Sequence, residues 1–253
     1  MLTSQVIYLK HLYGLPENIS GKHLHGFFFK KILGTMNPKF AADIHEQVES
    51  KPFSLSYLYP WNNMYWFRIA TWDERIPETV FAYFNETQEF EFNRCGFQLI
   101  KTTTHPADSY WANRLSIQSF IEQHFVEMDR FRLIHKGATS FKTGDAHIPL
   151  PVPELIVNSI YRKLPSWLKD VIQDISKEQI IETIRLKGHR IESIYNKKTY
   201  GAITSFAGET RWQIDQRTLI DTRKAINLMF NFAFYCGIGV KTTQGMGMCR
   251  IVY

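Results

Sequence analysis

Cysteine is scarce: there are three in 253 residues, Cys95, Cys236 and Cys249, odd in number and without a Cys-x-x-Cys pair. That excludes a disulfide framework or a zinc ribbon and points to free thiols in a reducing cytoplasm. Long apolar runs are missing too. No uncharged stretch exceeds 16 residues, and one of these, Ala225–Val240, is interrupted by Asn227 and Asn231, short of the ~20 apolar residues of a membrane span. Met1 to Lys10 holds no basic start followed by an apolar run, so no secretory signal is expected. Low-complexity tracts and short-period repeats are also absent. With 44% hydrophobic and 21% charged residues, the chain is neither a disordered tail nor a fibrous protein.

Acidic charge is the other shortage. Against 30 Lys and Arg stand 24 Asp and Glu, a formal charge of +6, which suits a polyanionic partner. The deficit is local: residues 1–126 carry 11 basic and 12 acidic side chains, and 127–253 carry 19 and 12, giving −1 and +7. A basic face on a C-terminal domain is expected. At ~150 residues per domain the length allows two modest domains, divided here as 1–126 and 127–253.

Residue patterns predict a strand at Gln5–Leu9 and a helix over Gly21–Leu33, capped by Ser20, with Leu24, Phe27, Phe28 and Ile32 on its buried face. Aromatic and β-branched composition predicts strands at Tyr65–Thr71, Thr79–Phe84 and Gly96–Lys101, with a short helix at Arg114–Phe125. The second half reads as strands (Phe131–Ile134, Thr139–Lys142), a proline-rich loop (Gly144–Pro153) and helices (Glu154–Lys163, Trp167–Ile175). After these come a strand at Ile180–Lys187, a turn at Gly188 and strands at Tyr200–Phe206 and Thr210–Ile214. A helix over Arg217–Tyr235, with Leu219, Ile226, Met229, Phe230 and Ala233 on one stripe, precedes a last strand at Met248–Tyr253. The mixture indicates an α+β fold, and each half could hold one β-α-β-β-α-β, ferredoxin-like (RRM-like) unit.

The most specific motif is Gly237-Ile238-Gly239-Val240-Lys241-Thr242-Thr243-Gln244-Gly245-Met246-Gly247, two Gly-apolar-Gly triplets five residues apart. Such a loop can turn successive N–H groups toward an anion or can simply form a tight structural turn. It is neither of two common phosphate loops. A dinucleotide fingerprint needs glycine where Thr242 stands, and a Walker A motif needs glycine where Val240 precedes Lys241. Only six residues follow Gly247, too few for the helix those motifs require.

The double triplet resembles the glycine-rich loop of the CRISPR-associated repeat endoribonucleases, the Cas-six family of the RAMP superfamily. Ala138-Thr139-Ser140-Phe141-Lys142, followed by Ile148-Pro149-Leu150-Pro151-Val152-Pro153, is similar to that family's Thr-x-Phe strand and Leu-Pro-x-Pro loop. Gly21-Lys22-His23-Leu24-His25-Gly26 resembles its N-terminal Gly-x-x-Leu-His-Gly helix. The resemblance implies two ferredoxin-like domains facing each other across a cleft. It also implies cleavage of precursor CRISPR RNA within each repeat, without a metal or other cofactor.

That reaction requires a base for the RNA 2′-OH, an acid for the 5′-leaving oxygen and positive charge near the phosphate. Histidine suits both proton roles. The family pattern selects His25, with His23 as alternate. On a helical wheel His25 lies at the edge of the apolar arc, where it could equally be a core residue, while His23 points toward Lys22 and Lys30. The resemblance further suggests Lys31 for charge stabilisation and Tyr13 as a partner. For RNA binding the candidates are Gly237, Gly239, Lys241, Gly245 and Gly247 of the loop, with Arg250 beyond it. Arg185, Lys187, Arg190, Lys197 and Lys198 form a basic hairpin, and Tyr57–Trp72 offers aromatic surface more suited to core packing than to base stacking. The expected partner is CRISPR repeat RNA bound by a monomer or homodimer, with no membrane. The alternative role is a non-catalytic RNA-binding subunit of a CRISPR effector complex, and a metabolic enzyme without an RNA partner is a third reading.

Overall fold

The computed structural model describes residues 1–46, 51–196 and 203–253. The chain divides into two compact units. The first holds Met1–Ser116 together with Thr243–Gly245, and the second holds the rest of the described chain from Ile117 onward. The division falls earlier than the boundary at 126 drawn from charge. The reason is the helix Ile117–His124, whose Phe120 packs against Tyr235 of the second unit, with ring centroids 5.9 Å apart.

The first unit opens with β1 (Leu2–Tyr13) and helix α1 (Gly21–Phe27), which runs on through a π-helical turn, Phe28–Leu33, into α2 (Gly34–Met36). Then follow α3 (Pro38–Glu46), β2 (Phe53–Leu55), β3 (Tyr59–Trp61), β4 (Met64–Thr71), α4 (Arg75–Glu86), β5 (Glu89–Phe92), β6 (Cys95–Thr103) and β7 (Asn113–Leu115). Its sheet has the order β2-β4-β1-β6-β5, with β3 added on β4 and β7 on β1, and its pairs are antiparallel. Leu24, Phe27, Phe28, Phe29, Ile32 and Leu33 seal one face of it. The π turn lets both Phe28–Phe29 and Ile32–Leu33 be buried while Lys30 and Lys31 stay exposed.

The predicted strand at Thr79–Phe84 is a correction, because this segment belongs to helix α4. Ile76, Val80, Tyr83 and Phe84 are its buried residues. Their spacing of four, three and one is helical, and burial of that stripe outweighs the β-branched and aromatic composition.

The second unit comprises α5 (Ile117–His124), β8 (Arg130–Thr139), β9 (Phe141–Thr143), β10 (Ala146–Ile148), α6 (Pro153–Tyr161), α7 (Ser166–Val171), α8 (Lys177–Thr183), β11 (Ile184–Asn196), β12 (Ile203–Ile214), α9 (Ile220–Cys236) and β13 (Cys249–Val252). Its main sheet has the order β11-β12-β8-β13, all antiparallel, while β9 and β10 form a separate hairpin. Phe131, Leu133 and His135 are buried on one face of β8, and Arg130, Arg132 and Lys136 are exposed on the other. The buried face meets α9, with Phe131 and Phe230 rings 4.8 Å apart.

Several expectations change here. Ile180–Lys187 is not one strand, since its first part lies in α8, started by a reciprocal cap between Ser176 and Gln179. Gly188 is not a turn. It lies within β11 at a register shift between Leu186 and Gly188, a bulge opposite Arg211. The two strands expected at Tyr200–Phe206 and Thr210–Ile214 form the single strand β12, shifted in register between Phe206 and Gly208, and Tyr200 lies outside the described residues. Leu219 leaves the predicted apolar stripe: it is 74% exposed as the N-cap of α9. The helix expected to Ile175 ends at Val171.

His135 is fully buried and shares a bond of 3.1 Å with the Thr210 hydroxyl, and burial pushes its pKa down to about 3. Burial also lowers His124, to about 4. The unfolded chain therefore binds protons below about pH 6.5 that the folded chain refuses, and stability falls as pH drops from there toward 3. For His135 the slope approaches about 1.4 kcal/mol per pH unit. Urea melts at successive pH values should show this decline, and His135→Gln should flatten it by about one proton's worth; an unchanged slope would contradict the assignment.

Candidate active site and nucleic-acid interface

His25 lies on α1, one turn past the helix start. The Ser20 amide donates to His23 Nδ1 at 3.1 Å, so His23 serves as part of the helix cap. Leu24 and Phe27 face the core, which leaves His25 half-buried beside Phe29 and Phe53, with ring centroids at 4.7 and 6.3 Å. His25 Nδ1 lies 2.9 Å from the Thr243 carbonyl oxygen. A carbonyl only accepts, so Nδ1 carries the proton and Nε2 keeps its lone pair. Burial holds the imidazole below its ordinary pKa. The Thr243 hydrogen bond pulls the other way, and the charges of Lys51 and His45 push down again. At neutral pH His25 is a neutral base with a defined tautomer.

The motif glycine that opens this helix has a mechanical reason. A Cβ on Gly21 would collide with the Gln244 carbonyl oxygen. The segment Thr243–Gln244 thus lies directly on the first turn of α1, and Gly21 makes room for the carbonyl that orients His25 one turn later.

Neither companion suggested by the resemblance is joined to His25. The Tyr13 hydroxyl donates to Glu91 at 3.0 Å and its ring packs over Gly96. Lys31 is exposed on the π turn, where regular α-helical spacing from His25 no longer holds. Instead Lys51, whose ammonium bonds the Ile44 and His45 carbonyls at 2.9 and 2.8 Å, sits 5.9 Å from the Phe29 ring centre. The His45 ring contacts the same phenylalanine at 5.7 Å. Lys51 and His45 were missed in the sequence because no motif spacing ties them to His25. Among the described residues, no group of three or more His, Cys, Asp or Glu side chains is placed to hold a metal ion.

In the second unit the glycine-rich loop closes on itself and on β8. Its four glycines and Lys241 all have positive φ, between 53° and 94°. The Ile238 amide donates to Gly247 O at 2.9 Å, Val240 to Ser140 O at 2.9 Å, Gly239 to the Ser159 hydroxyl at 2.7 Å, and Gly247 to Ala138 O at 3.0 Å. A Cβ on Gly247 would collide with the Ile238 carbonyl. The expectation of an open cradle of N–H groups is thereby corrected for these four amides: they are spent on holding the loop.

The exposed face of the main sheet gathers the charge. Arg130 and Arg132 of β8 register with Gln213 and Arg211 of β12, and Arg185 of β11 registers with the same Gln213. A hollow of about 540 Å³ is lined by Arg130, Arg132, Lys187 and Arg211, and one of about 440 Å³ by Arg185, Lys187 and Arg217. Glu209 pairs with Arg132 and Arg211, and Asp215 with Arg217. Among the described residues Arg130, Arg185 and Lys187 have no ion-pair partner. Arg190 is exposed on the same edge strand, and Arg250 stands over the Phe234 ring at 5.3 Å. Lys197 and Lys198 lie outside the described residues. Within Tyr57–Trp72, Trp66 is buried and Tyr59 packs on it at 4.9 Å, whereas Trp61 stays 45% exposed.

Residues 135–249, from the polar core of β8 through the glycine-rich loop, match the family model described as CRISPR-associated endoribonuclease Cas6. Over that stretch the chain is similar to the Cas6 family. A curated Cas6 endoribonuclease of Streptococcus thermophilus is 20% identical over 231 residues, covering 90% of this chain and 89% of that one. Among solved structures, a Cas6 product complex superposes with a TM-score of 0.83 at 19% identity, covering all of both chains. A Cas6 substrate-mimic complex gives 0.76 at 19% identity, with 99% of each chain covered. Thermus thermophilus Cas6 gives 0.70 at 21% identity over 100% of this chain and 98% of that one. At such identities the likeness carries the fold, a mixed α+β architecture along the full length. The family-model match covers the glycine loop, β11 and β12, while the His25 helix and the β8 arginines Arg130 and Arg132 precede it.

Gly21→Ala should therefore destabilise the protein by about 1–3 kcal/mol through overpacking. Gly26→Ala, where a Cβ meets nothing within 4 Å, should be neutral or stabilise by about 0.5–1 kcal/mol. Thermal melts of the two variants decide this; equal melting temperatures would mean that the Gln244 carbonyl does not press on Gly21.

Proposed function

We propose that the protein is a Cas6 endoribonuclease that cuts precursor CRISPR RNA within its repeats, in a fold of two ferredoxin-like units, by attack of the RNA's own 2′-OH. The strand orders β2-β4-β1-β6 and β11-β12-β8-β13, each with helices after its first and third main strands, support the fold reading. The observation that carries the function is the fixed tautomer of His25. Nε2 takes the 2′-OH proton, the 2′ oxygen bonds to phosphorus, and the bond to the 5′ oxygen breaks. The products are a 2′,3′-cyclic phosphate and, once that oxygen is protonated, a 5′-hydroxyl. We assign Lys51, not Lys31, as the cation that stabilises negative charge on the five-coordinate phosphorus, with His45 as a second imidazole able to supply the proton to the leaving oxygen. His23, committed to the helix cap, is assigned no proton transfer. These steps call for no bound metal.

Repeat RNA would lie along Arg130, Arg185, Lys187 and Arg211, whose charge complements phosphate. Lys241 and the second glycine triplet would contact it as well. The free, buried cysteines fit a reducing cytoplasm, and no described helix is long and apolar enough to cross a membrane.

In single-turnover cleavage of repeat RNA, His25→Ala should cost about 10²–10⁴-fold and Lys51→Ala about a hundredfold, with His23→Gln close to wild type and EDTA without effect. Retained cutting by His25→Ala would sink the mechanism. Tight repeat binding without any product from the wild-type protein would instead mark a guide-holding subunit. Replacing Arg130 and Lys187 by Gln should raise KM and reduce the salt slope by about one per lost phosphate contact, leaving kcat nearly unchanged.

A further inference from the structure

Lys163 is a cation that neither motif nor mechanism uses. It follows α6 in the second unit, and burial lowers its pKa from the usual lysine value. Its ammonium donates to Gly237 O at 3.0 Å, to Gly239 O at 3.1 Å and to the Ser159 hydroxyl at 3.3 Å. An ammonium has three donors and all three are placed, so Lys163 has none left for an RNA phosphate.

What these bonds hold is specific. The peptide joining Gly237 to Ile238 is pinned at both ends, its carbonyl on Lys163 and its N–H on Gly247 O. The peptide joining Gly239 to Val240 is pinned likewise, its carbonyl on Lys163 and its N–H on Ser140 O. The peptide between them gives its N–H to Ser159, itself bonded to Lys163. Glycines at positive φ carry no side chain that could enforce this path, and freeing them would release conformational entropy. One ammonium, four residues beyond Ser159 on the same helical segment, supplies the enforcement that the loop's own sequence lacks.

We propose that Lys163 is a positioning residue which, with Ser159, locks the first glycine triplet and so holds Lys241 and the second triplet in the conformation that binds RNA. The RNA-binding part rests on the proposed function; the lock itself does not. A locked loop serves ground state and transition state alike, so its loss should appear in KM more than in kcat.

The test compares Lys163→Met with wild type and with Lys169→Met, an exposed lysine outside the site. Hydrogen exchange of the 237–247 segment reports the lock directly, and the amides of Ile238, Gly239 and Val240 should exchange about tenfold faster or more in Lys163→Met. On a CRISPR repeat RNA, KM should rise about tenfold with kcat within about threefold, and Lys169→Met should match wild type. If Lys163→Met shows no cooperative melt, Lys163→Gln, which keeps N–H donors for one carbonyl, takes its place. Unchanged exchange in a folded variant overturns the lock. Faster exchange with unchanged KM overturns its role in RNA binding. If wild-type protein neither binds nor cuts repeat RNA, the proposed function falls, and the exchange result alone decides whether Lys163 locks the loop.

Discussion

The second unit depends on a backbone approach that a side chain would forbid. Where α9 ends, the chain must return to place β13 beside β8, and it does so by laying Gly247 against the Ile238 carbonyl and Gly239 against Ser140. Each approach is bought with a main-chain hydrogen bond, so the loop carries few idle polar groups despite its irregular path. The motif that looks like an anion cradle is thus first a device for closing the sheet. The arginines gather elsewhere, on the exposed face of the main sheet.

Around His25 two physical effects oppose each other. Packing against Phe29 and Phe53 disfavours the charged ring, and the Thr243 carbonyl favours it by accepting from Nδ1. Burial wins, which keeps the ring neutral, and the carbonyl decides which nitrogen holds the proton. A histidine at the edge of an apolar face can be a core residue or a base. Here partial burial and a single polar partner give it the properties of a base without removing it from the core's edge.

Much of this was legible in the residues. The helix over Gly21–Leu33, the long helix before the glycine loop, the start of β8 and the basic character of the second half all follow from periodicity and charge. Two failures fall on short segments rich in β-branched or aromatic residues: Thr79–Phe84 is helical because its stripe is buried, and Ile180–Thr183 because the cap at Ser176 starts a helix before it. Gly188 looks like a turn, yet it lies at a register shift within a long strand, because a pairing strand keeps the chain extended through it. A wheel drawn at 100° per residue could not foresee the π turn that separates Lys31 from His25.

By itself the sequence determined the α+β character, the −1 and +7 division of charge and the glycine-rich loop. These are properties of composition, local period and motif. The tertiary structure decided what surrounds His25. Lys51 and His45 pack on Phe29 beside it, and Thr243 reaches it through the folding of a loop 218 positions away in the chain. Proton position and local charge are set by atoms in contact, and contacts at that separation in sequence leave no spacing to read.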